Sequence, residues 1–372
     1  MIKLKLLIFL CLLSISFFAK AQTVTDILGR EVEINDQVGQ VILGEGRFLA
    51  AFGVLGINSP LSRVAGMLNE FRKFDPASFG KYREAYPEID FIPIFGQTSE
   101  DTVSIEKIIS LKPDVAIFGV EGHGPKARSK VIIDTLQAVG IPVVFIDFRQ
   151  EPLKNSPRSI EIIGQILGYE KQAEAFSSFY KTELAKVTER LVQNETSCPT
   201  VLLEIRVGLG EECCMTISKG MLADMIEQAG ACNIAKDVLP GVAGLLNLEY
   251  VITTAPDIYI GTAVGSIKGP MSGKGRIVLG AGVDEDKART SLEEALQRAG
   301  INSLPAVKNK RAHAIWHHFY NSPLNLYAFQ KFAKWFHPEL FKDIKPEKTL
   351  ERLLTLFEPV DLSGVYAVSV SQ

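Results

Sequence analysis

The sequence predicts an α/β protein of two lobes, each built on a mostly parallel sheet, joined by a single long α-helix. Three observations lead to this prediction: an internal repeat, short apolar segments alternating with helical segments in both halves, and one uninterrupted amphipathic segment between the halves. The 372 residues suffice for two or three domains. Hydrophobic residues make up 47% and charged residues 22%, which is typical of a folded protein and excludes a disordered one.

The repeat pairs residues 104–119 with residues 247–262 without a gap. Each copy begins with a helix-capping residue, carries a glutamate two positions later, and places Pro-Asp before an apolar run. Each copy therefore predicts a helix, a tight turn and a buried strand, and the two copies together indicate two related lobes. The matching residues are Ser104 and Asn247, Glu106 and Glu249, Ile109 and Ile252, Pro113-Asp114 and Pro256-Asp257, and Ile117 and Ile260.

The segments around each copy predict further layers of parallel strands and helices. In the first half we expect strands at residues 41–44, 63–67, 115–118 and 143–146, and helices at 48–55 and 126–139. In the second half we expect strands at 200–205, 258–260 and 312–316, and helices at 220–229 and 291–299. One open sheet per half follows from this alternation.

Residues 169–192 contain no proline or glycine and place apolar side chains at spacings of three and four. A helix of this length reaches about 36 Å. We interpret it as a stiff bridge that permits only modest closure of the lobes, although a surface helix of one lobe would show the same pattern. The predicted organisation is an N-terminal lobe at 22–168, a bridging helix at 169–193 and a C-terminal lobe at 194–372.

Residues 1–21 have the features of a signal peptide cleaved after Ala21. Lys3 and Lys5 precede an apolar run at 6–18 that is too short to span a bilayer, and Ala19 and Ala21 supply the small residues of a cleavage site. The mature chain is therefore expected to be exported and soluble. The net charge of −3 leaves no basic surplus for nucleic acid or a membrane surface.

Four cysteines remain after cleavage: Cys198, Cys213, Cys214 and Cys232. Four cysteines allow three complete pairings, and spacing alone does not choose among them. An exported protein favours disulfides. A thiolate metal site is the weaker alternative, because the paired CxxC spacing is absent.

Six segments, taken in order, resemble the periplasmic substrate-binding proteins of ABC importers for iron–siderophore complexes, haem and cobalamin. They are residues 25–34, 104–119, 140–147, 233–235, 247–262 and 304–313. The resemblance covers nearly the whole mature chain. It implies two Rossmann-like lobes joined by one long helix, a ligand held in the cleft between them, location in the periplasm, and a monomer that performs no catalysis.

The same resemblance assigns a role to two glutamates. In that family one acidic side chain on each lobe docks against arginines of a two-fold symmetric ABC permease, and the pattern carries over onto Glu106 and Glu249. These glutamates are also paired by the repeat, as a pseudo-symmetric protein that meets a dimer requires. The alternative is that both merely complement the positive end of a helix dipole.

Ligands of open α/β sheets bind beyond the carboxyl ends of the strands, so the loops there supply the candidate ligand-binding residues. Arginines bind anionic oxygens in pairs, and aromatic faces cover an apolar chelator. Arg47, Arg149 and Arg206 are the candidates for the anion, and Phe148, Phe319 and Tyr320 are the candidates for the walls. The full set of ligand-binding candidates is Arg47, Gln97, His123, Arg149, Arg206, His318, Phe319 and Tyr320.

We therefore expect a receptor for a ferric siderophore with no covalently bound cofactor. A haem or corrinoid receptor of the same family is the first alternative, with His317, His318 or Tyr320 as a haem ligand. An exported metal-dependent enzyme is the second. In it His317, His318 and Glu121 would hold a metal, and His123 is a further possible ligand.

Overall fold

The computed structural model describes residues 21–57, 59–209, 213–265, 275–357 and 360–370. The expected signal peptide lies outside these ranges except for Ala21, which pairs with Asn35 at the start of the first strand. Within these ranges no helix combines the length and the apolar character needed to cross a membrane.

Five parallel strands form the sheet of the N-terminal lobe. The elements of this lobe are β1 (Ala21–Thr25), β2 (Glu31–Asn35), β3 (Val41–Leu43), α1 (Leu49–Gly53), β4 (Val64–Leu68), α2 (Glu70–Phe74), α3 (Pro76–Ala85), β5 (Ile94–Gly96), α4 (Ile105–Ser110), β6 (Val115–Gly119), α5 (Lys130–Ala138), β7 (Val143–Ile146) and α6 (Pro152–Leu167), with short 3-10 helices at Gly46–Phe48, Pro60–Arg63, Pro87–Phe91 and Glu100–Thr102. The strand order is β5-β4-β3-β6-β7. Every residue of β3, β4, β6 and β7 is buried, which explains their uninterrupted apolar sequences.

The C-terminal lobe repeats this plan. After α7 (Glu170–Gln193) come β8 (Thr200–Glu204), β9 (Met215–Ile217), α8 (Met221–Gln228), β10 (Cys232–Asn233), β11 (Ala243–Leu245), α9 (Leu248–Thr254), β12 (Ile258–Ala263), β13 (Gly280–Ala281), α10 (Glu285–Ala295), α11 (Pro305–Lys308), β14 (Ala312–Trp316), a 3-10 helix at His317–Asn321, α12 (Leu326–Phe336), α13 (Pro346–Phe357), β15 (Gly364–Val365) and β16 (Ala367–Ser369). The sheet order is β10-β8-β12-β14-β16, in which only β16 is antiparallel to its neighbour. Antiparallel pairs β1–β2, β9–β11 and β13–β15 flank the two sheets.

The two copies of the repeat adopt the same backbone. The Ser104 side chain caps α4 and the Asn247 side chain caps α9, each by accepting a backbone N–H of the first turn. After each helix one residue takes the left-handed conformation, Lys112 with φ 49° and Ala255 with φ 48°. The predicted helix, turn and strand are thus present in both lobes.

The aspartate of each Pro-Asp pair ties its repeat to the first strand of its own sheet. The Asp114 carboxylate accepts the backbone N–H groups of Gly39 and Gln40 at 2.7 and 2.8 Å. The Asp257 carboxylate accepts the backbone N–H and the hydroxyl of Thr200 at 2.8 and 2.9 Å. Equivalent side chains therefore perform the same structural task in both lobes.

Helix α7 lies between the two sheets in sequence and contacts helices of both lobes. The Lys181 ammonium pairs with the Glu161 carboxylate of α6 at 2.9 Å. The fully buried Tyr180 donates its hydroxyl hydrogen to Asn325, which immediately precedes α12, at 2.6 Å. These contacts make α7 a bridge that is held at both lobes, as its sequence pattern predicts.

The cysteines form two disulfides, Cys198–Cys232 and Cys213–Cys214. The first joins the segment before β8 to β10 across a Cα–Cα distance of 5.5 Å. All four sulfur atoms are bonded to sulfur, so this pairing leaves no thiolate for a metal.

The repeated aspartates give a testable consequence for stability. Asp114→Ala leaves two backbone N–H groups without their charged acceptor, and we expect the free energy of unfolding to fall by about 1–3 kcal/mol. Urea denaturation of the mature protein measures this. Asp134→Ala, which removes only the surface pair with Lys130, serves as the control and should cost less than about 0.5 kcal/mol. Equal effects of the two substitutions would contradict a structural role of Asp114.

Candidate ligand-binding site

A cavity of about 560 Å³ lies between the two lobes. Its walls come from segments that follow β4, β6 and β7 in one lobe and β8, β12 and β14 in the other, at the carboxyl ends of the strands. Apolar side chains from both lobes form much of the lining: Phe74, Pro76, Ile205, Leu209, Ile217, Met221, Ala243 and Val264.

A larger cavity of about 840 Å³ lies within the C-terminal lobe, under α10, α12, α13 and residues 360–370. All of its lining residues belong to the C-terminal lobe. Two of its charged side chains, Lys331 and Glu347, already pair with each other at 2.8 Å. The cavity between the lobes, where loops of both sheets converge, is therefore the candidate site.

A buried carboxylate organises the floor of the site. Glu45 accepts hydrogen bonds from Arg149 at 2.8 Å, from Arg47 at 3.0 Å and from the Asn321 amide at 2.9 Å. Burial acts to raise the pKa of Glu45, but the positive charges of Arg149 and Arg47 prevail and lower it to about 2. Glu45 is therefore ionised at neutral pH and connects side chains of both lobes.

Arg47 continues this network and fixes the protonation of a histidine. Its guanidinium donates to His318 Nδ1 at 2.9 Å and to the Tyr320 hydroxyl at 3.0 Å. Because a guanidinium only donates, Nδ1 is the unprotonated nitrogen, and Nε2–H donates to the Phe74 carbonyl at 2.8 Å. Burial lowers the pKa of His318 well below its usual value. Both ring nitrogens are thus occupied within the protein.

A second buried carboxylate supports the loop that carries Arg47. Glu70 accepts the backbone N–H groups of Gly46 and Arg47 at 2.9 and 3.0 Å. Burial raises the pKa of Glu70, and the nearby negative charge of Glu45 acts in the same direction. The two backbone hydrogen bonds fix the turn after β3 in the position that places Arg47 under the cavity.

The 3-10 helix after β14 explains which of its side chains face the cavity. Residues three apart lie on the same side of such a helix. His317 and Tyr320 therefore share one side, with ring centres 4.8 Å apart, and both line the cavity. His318 and Asn321 share a second side and contact the network around Glu45, and His318 also lines the cavity. Phe319 takes the third side and is fully buried.

Tyr320 lies between two positive charges. The guanidinium carbons of Arg149 and Arg47 are 4.7 and 5.5 Å from the centre of its ring. Burial acts to raise the pKa of Tyr320, but these two arginines lower it below its ordinary value. The two arginines therefore favour the ionised form of the Tyr320 hydroxyl at the wall of the cavity.

His317 is oriented by a threonine of β12. The Thr262 hydroxyl oxygen accepts the backbone N–H of Arg206 at 2.8 Å and lies 2.9 Å from His317 Nδ1. This hydrogen bond between the Thr262 hydroxyl and Nδ1 fixes the orientation of the His317 ring. Burial and the charge of Arg206 lower the pKa of His317 well below its usual value, so the ring is neutral.

The cavity has a positive lining. Its charged side chains are four cations, Lys73, Arg149, Arg206 and Arg276, and no carboxylate is among its described lining residues. Neither Lys73 nor Arg206 has an ion-pair partner within 4.0 Å in the described part of the chain. The two free cations come from different lobes, so both lobes attract an anion into the cleft.

Arg206 also has an unusual backbone. Its φ of 52° is in the left-handed region of backbone conformations, which residues other than glycine rarely adopt. Two residues further along, the backbone of Gly208 packs directly against Arg276, since a Cβ at position 208 would lie 2.4 Å from the Arg276 Cα. Such strain is common at ligand sites, where the surrounding structure holds a side chain in a set position.

The structure brings together five of the eight ligand-binding candidates: His123, Arg149, Arg206, His318 and Tyr320 all line the cavity. The other three lie elsewhere. Arg47 is buried beneath the cavity in the Glu45 network, Gln97 is exposed and accepts a hydrogen bond from Asn69 at 2.9 Å, and Phe319 belongs to the core. Phe148 is likewise buried, beside Phe48.

Lys73, Phe74 and Arg276 are among the lining residues that the sequence analysis missed. Lys73 and Phe74 follow β4, whose carboxyl end lies at the same edge as those of its neighbours. The rule that ligands bind beyond the carboxyl ends of the strands, applied to β4 as well, would have identified both residues as candidates.

The histidines do not form a metal site in the described residues. The one described set of acidic, histidine or cysteine ligand atoms that lie close together is Glu204, Cys213 and Cys214. Its sulfur atoms form a disulfide, and the Glu204 carboxylate pairs with Arg298. Glu121, suggested for a metal-dependent enzyme, instead pairs with Arg128.

A two-lobed fold with a cationic cavity between parallel sheets defines a solute-binding protein. The family model described as periplasmic binding protein matches residues 94–315, which is more than half of the chain. The chain therefore belongs to the periplasmic binding protein family of ABC importers, as the sequence resemblance predicts. No curated protein sequence is significantly similar to it.

Solved structures agree with this assignment. The TroA-like periplasmic binding protein FepB from Veillonella parvula is 27% identical, with a TM-score of 0.83 over 94% of this chain and 99% of that one. The periplasmic protein MolA from Haemophilus influenzae, solved with molybdate, is 19% identical, with a TM-score of 0.65 over 90% and 97%. A periplasmic heme binding protein from Pseudomonas aeruginosa is 17% identical, with a TM-score of 0.56 over 90% and 99%.

The family settles the class of function. Its members bind solutes in the periplasm and deliver them to ABC permeases, and they are not enzymes. The prediction of a two-lobed α/β binding protein without catalysis is thereby confirmed, and the alternative of an exported metal-dependent enzyme is wrong.

The Glu45 network predicts a pH-dependent stability. Glu45→Gln leaves the buried Arg149 without its counter-ion and Arg47 with Glu70 alone, and we expect the free energy of unfolding at pH 7 to fall by about 3–5 kcal/mol. The pKa of Glu45 is depressed in the folded state, so its stabilisation is complete above about 4.5 and is lost as pH falls toward 2. The difference between wild type and variant should therefore shrink over that range in urea titrations.

Glu84→Gln is the matched control, because Glu84 forms only an exposed pair with Lys81. Its effect should stay below about 0.5 kcal/mol at every pH. A Glu45→Gln difference that does not change between pH 5 and pH 2 would contradict the ionic role of Glu45.

Proposed function

We propose that this protein captures a ferric siderophore, an anionic iron chelate, in the cavity between its lobes and delivers it to an inner-membrane ABC permease. The observation that carries this proposal is the lining of the cavity, which has four cations and no carboxylate among its described residues. Opposite charge attracts an anion into the cleft and raises its rate of association.

The shape and the chemistry of the cavity suit such a ligand. Its volume of about 560 Å³ lies within the range of about 300–1,000 Å³ that small-molecule sites occupy. Arg206 can bind a pair of chelator oxygens with its guanidinium, and Lys73 approaches from the other lobe. Phe74, Ile205 and Leu209 would cover the apolar part of the chelator.

A haem receptor is the second candidate, and two side chains favour it. The Tyr320 hydroxyl, whose ionised form Arg47 and Arg149 favour, and the His317 ring both line the cavity, and tyrosine and histidine are both ligands of haem iron in proteins. The cations would then bind the haem propionates. A corrinoid has no specific support from these side chains.

The positions of Glu106 and Glu249 support docking to the permease. Each lies in the first turn of a helix that precedes a parallel strand. Such a helix runs opposite to the strands, so its N-terminus lies at the same edge as the carboxyl ends of the strands and thus near the cleft. Both side chains are exposed, and neither forms an ion pair in the ranges that the structure describes. Each lobe thus offers one free carboxylate to a cationic partner.

Ligand titration tests the proposal. Trp316 packs against His318 at the cavity, so its fluorescence should change on binding. We expect saturable quenching by a ferric triscatecholate siderophore. Arg206→Ala should weaken binding by about tenfold or more, because a hydrogen bond to a charged group contributes about 1.5–3 kcal/mol.

The loss caused by Arg206→Ala should be larger at low salt than at high salt, since the attraction is partly screened. Arg83→Ala, which removes an exposed arginine outside the cavity, is the control and should bind normally. Saturable binding of haem with no binding of ferric siderophores would replace the first candidate by the second.

Uptake measurements test the docking residues. The double variant Glu106→Ala/Glu249→Ala should bind the siderophore with unchanged affinity but fail to support its uptake, because only the contact with the permease is lost. The double variant Glu88→Ala/Glu195→Ala removes two other exposed glutamates and should transport normally. Normal uptake by the first variant would refute the assignment of both glutamates.

A further inference from the structure

The C-terminal lobe exposes a cluster of apolar side chains beside Glu249. Ten large apolar side chains are exposed among the described residues, and four of them lie within the short segment 238–252. Single exposed apolar residues are ordinary, whereas a cluster marks an interaction surface. We call this cluster the rim patch; it consists of Val238 (46% exposed), Val242 (46%), Leu245 (49%) and Ile252 (43%).

The segment that carries the rim patch is held in place. Ser218 donates its backbone N–H to the Val242 carbonyl at 2.9 Å and its hydroxyl hydrogen to the Gly241 carbonyl at 2.7 Å. Leu239 packs closely on Gly244, where a Cβ would come within 3.2 Å of it. The apolar side chains are therefore presented by an ordered turn and strand.

The rim patch adjoins Glu249 through a continuous stretch of chain. Strand β11 ends at Leu245, and Asn247 then caps α9 by accepting the backbone N–H of Glu249 at 2.7 Å. Ile252 follows Glu249 by three residues, so both side chains lie on the same side of α9. A partner that binds Glu249 therefore approaches Ile252 of the rim patch.

The same strand reaches into the ligand cavity. In the β9–β11 ribbon Ala243 pairs with Ile217, and both residues line the cavity. Alternate residues of a strand face the same side, so Leu245 shares a side of β11 with Ala243. One side of the ribbon thus begins at the ligand and ends at the exposed rim.

The described part of the N-terminal lobe repeats only one member of this cluster, since Ile109 is equivalent to Ile252 and is partly buried. Residues 97–102, which precede Glu106, are polar and include Glu100 and Asp101. The two related lobes therefore offer different surfaces beside their equivalent glutamates.

We propose that the rim patch is a second part of the docking surface for the permease, where an apolar surface of the permease packs beside the cation that pairs with Glu249. This inference rests on the proposed function. The ionic contacts set the orientation and the rate of association, whereas the buried apolar area slows dissociation. The β9–β11 ribbon carries Leu245 of the rim patch and also lines the ligand cavity, so the docked permease touches an element of the ligand site.

Binding kinetics distinguish the two contributions. The full mature protein is measured against the permease of its importer in lipid nanodiscs by biolayer interferometry. Leu245→Ser/Ile252→Ser should weaken binding to the permease by at least about tenfold, and the change should appear as faster dissociation. The reason is that the two variant side chains no longer bury their exposed apolar surface against the permease. Glu106→Ala/Glu249→Ala should instead slow association, most strongly at low salt.

Val192→Ser is the matched control, since Val192 is 88% exposed near the end of α7 and away from the rim patch. It should leave both rate constants unchanged. Titration with a ferric triscatecholate siderophore and thermal unfolding should give wild-type values for all three variants. If the double serine variant is less stable, the single Val242→Ser variant in the exposed turn supplies the same test.

A wild-type dissociation rate of the rim-patch variants would overturn this inference. If the glutamate variant were impaired while the rim-patch variants bound normally, only the apolar contribution would be refuted. If neither type of variant affected binding to the permease, the docking surface of the proposed function would be refuted as well.

Discussion

The structure depends on the compensation of one buried carboxylate. Glu45 is enclosed by Arg47 and Arg149, and it takes a further hydrogen bond from Asn321 of the other lobe. A buried charge without partners would cost several kcal/mol, so these groups must stay together. Because the network crosses between the lobes, it fixes the floor of the cleft and positions Tyr320. It also engages Arg47 and Arg149 within the protein, whereas Arg206 and Lys73 have no ion-pair partner in the described ranges and can attract a ligand.

The layers of the fold could be predicted from the sequence because each strand and helix is determined by residues within its own segment. Strands such as β6 and β7 are buried on both sides and therefore appear as continuous apolar runs, and the capping residues of α4 and α9 mark both helix starts. Helix ends set by less obvious caps were placed wrongly. Residues 291–299 were expected to be helical, whereas α10 spans Glu285–Ala295, because the Asp284 side chain caps it by accepting the Lys287 N–H.

The candidate site could be located from the sequence, but the orientation of its side chains could not. The strand-end rule identified the loop after β14, yet a loop pattern does not reveal a 3-10 helix. Its three-residue period directs Phe319 into the core and Tyr320 to the cavity. Arg47 was expected to bind the ligand because arginine suits anions. It instead forms an ion pair with Glu45. The other partners of Glu45, Arg149 and Asn321, lie 104 and 276 residues further along the chain, so only the three-dimensional structure reveals them.

The repeat also shows where the two lobes had to differ. The register of the sheets makes Val41 equivalent to Val201, since they pair with Val115 and Ile258, which match in the repeat. Counting forward, Glu45 of the charged floor is equivalent to Ile205, an apolar wall of the cavity. The turns far from the ligand keep the same conformation in both lobes because they serve only the fold, as Lys112 and Ala255 show. At this pair of equivalent positions the lobes carry opposite chemistry, because the N-terminal lobe uses its position for the buried carboxylate beneath the cavity and the C-terminal lobe uses its own for an apolar wall.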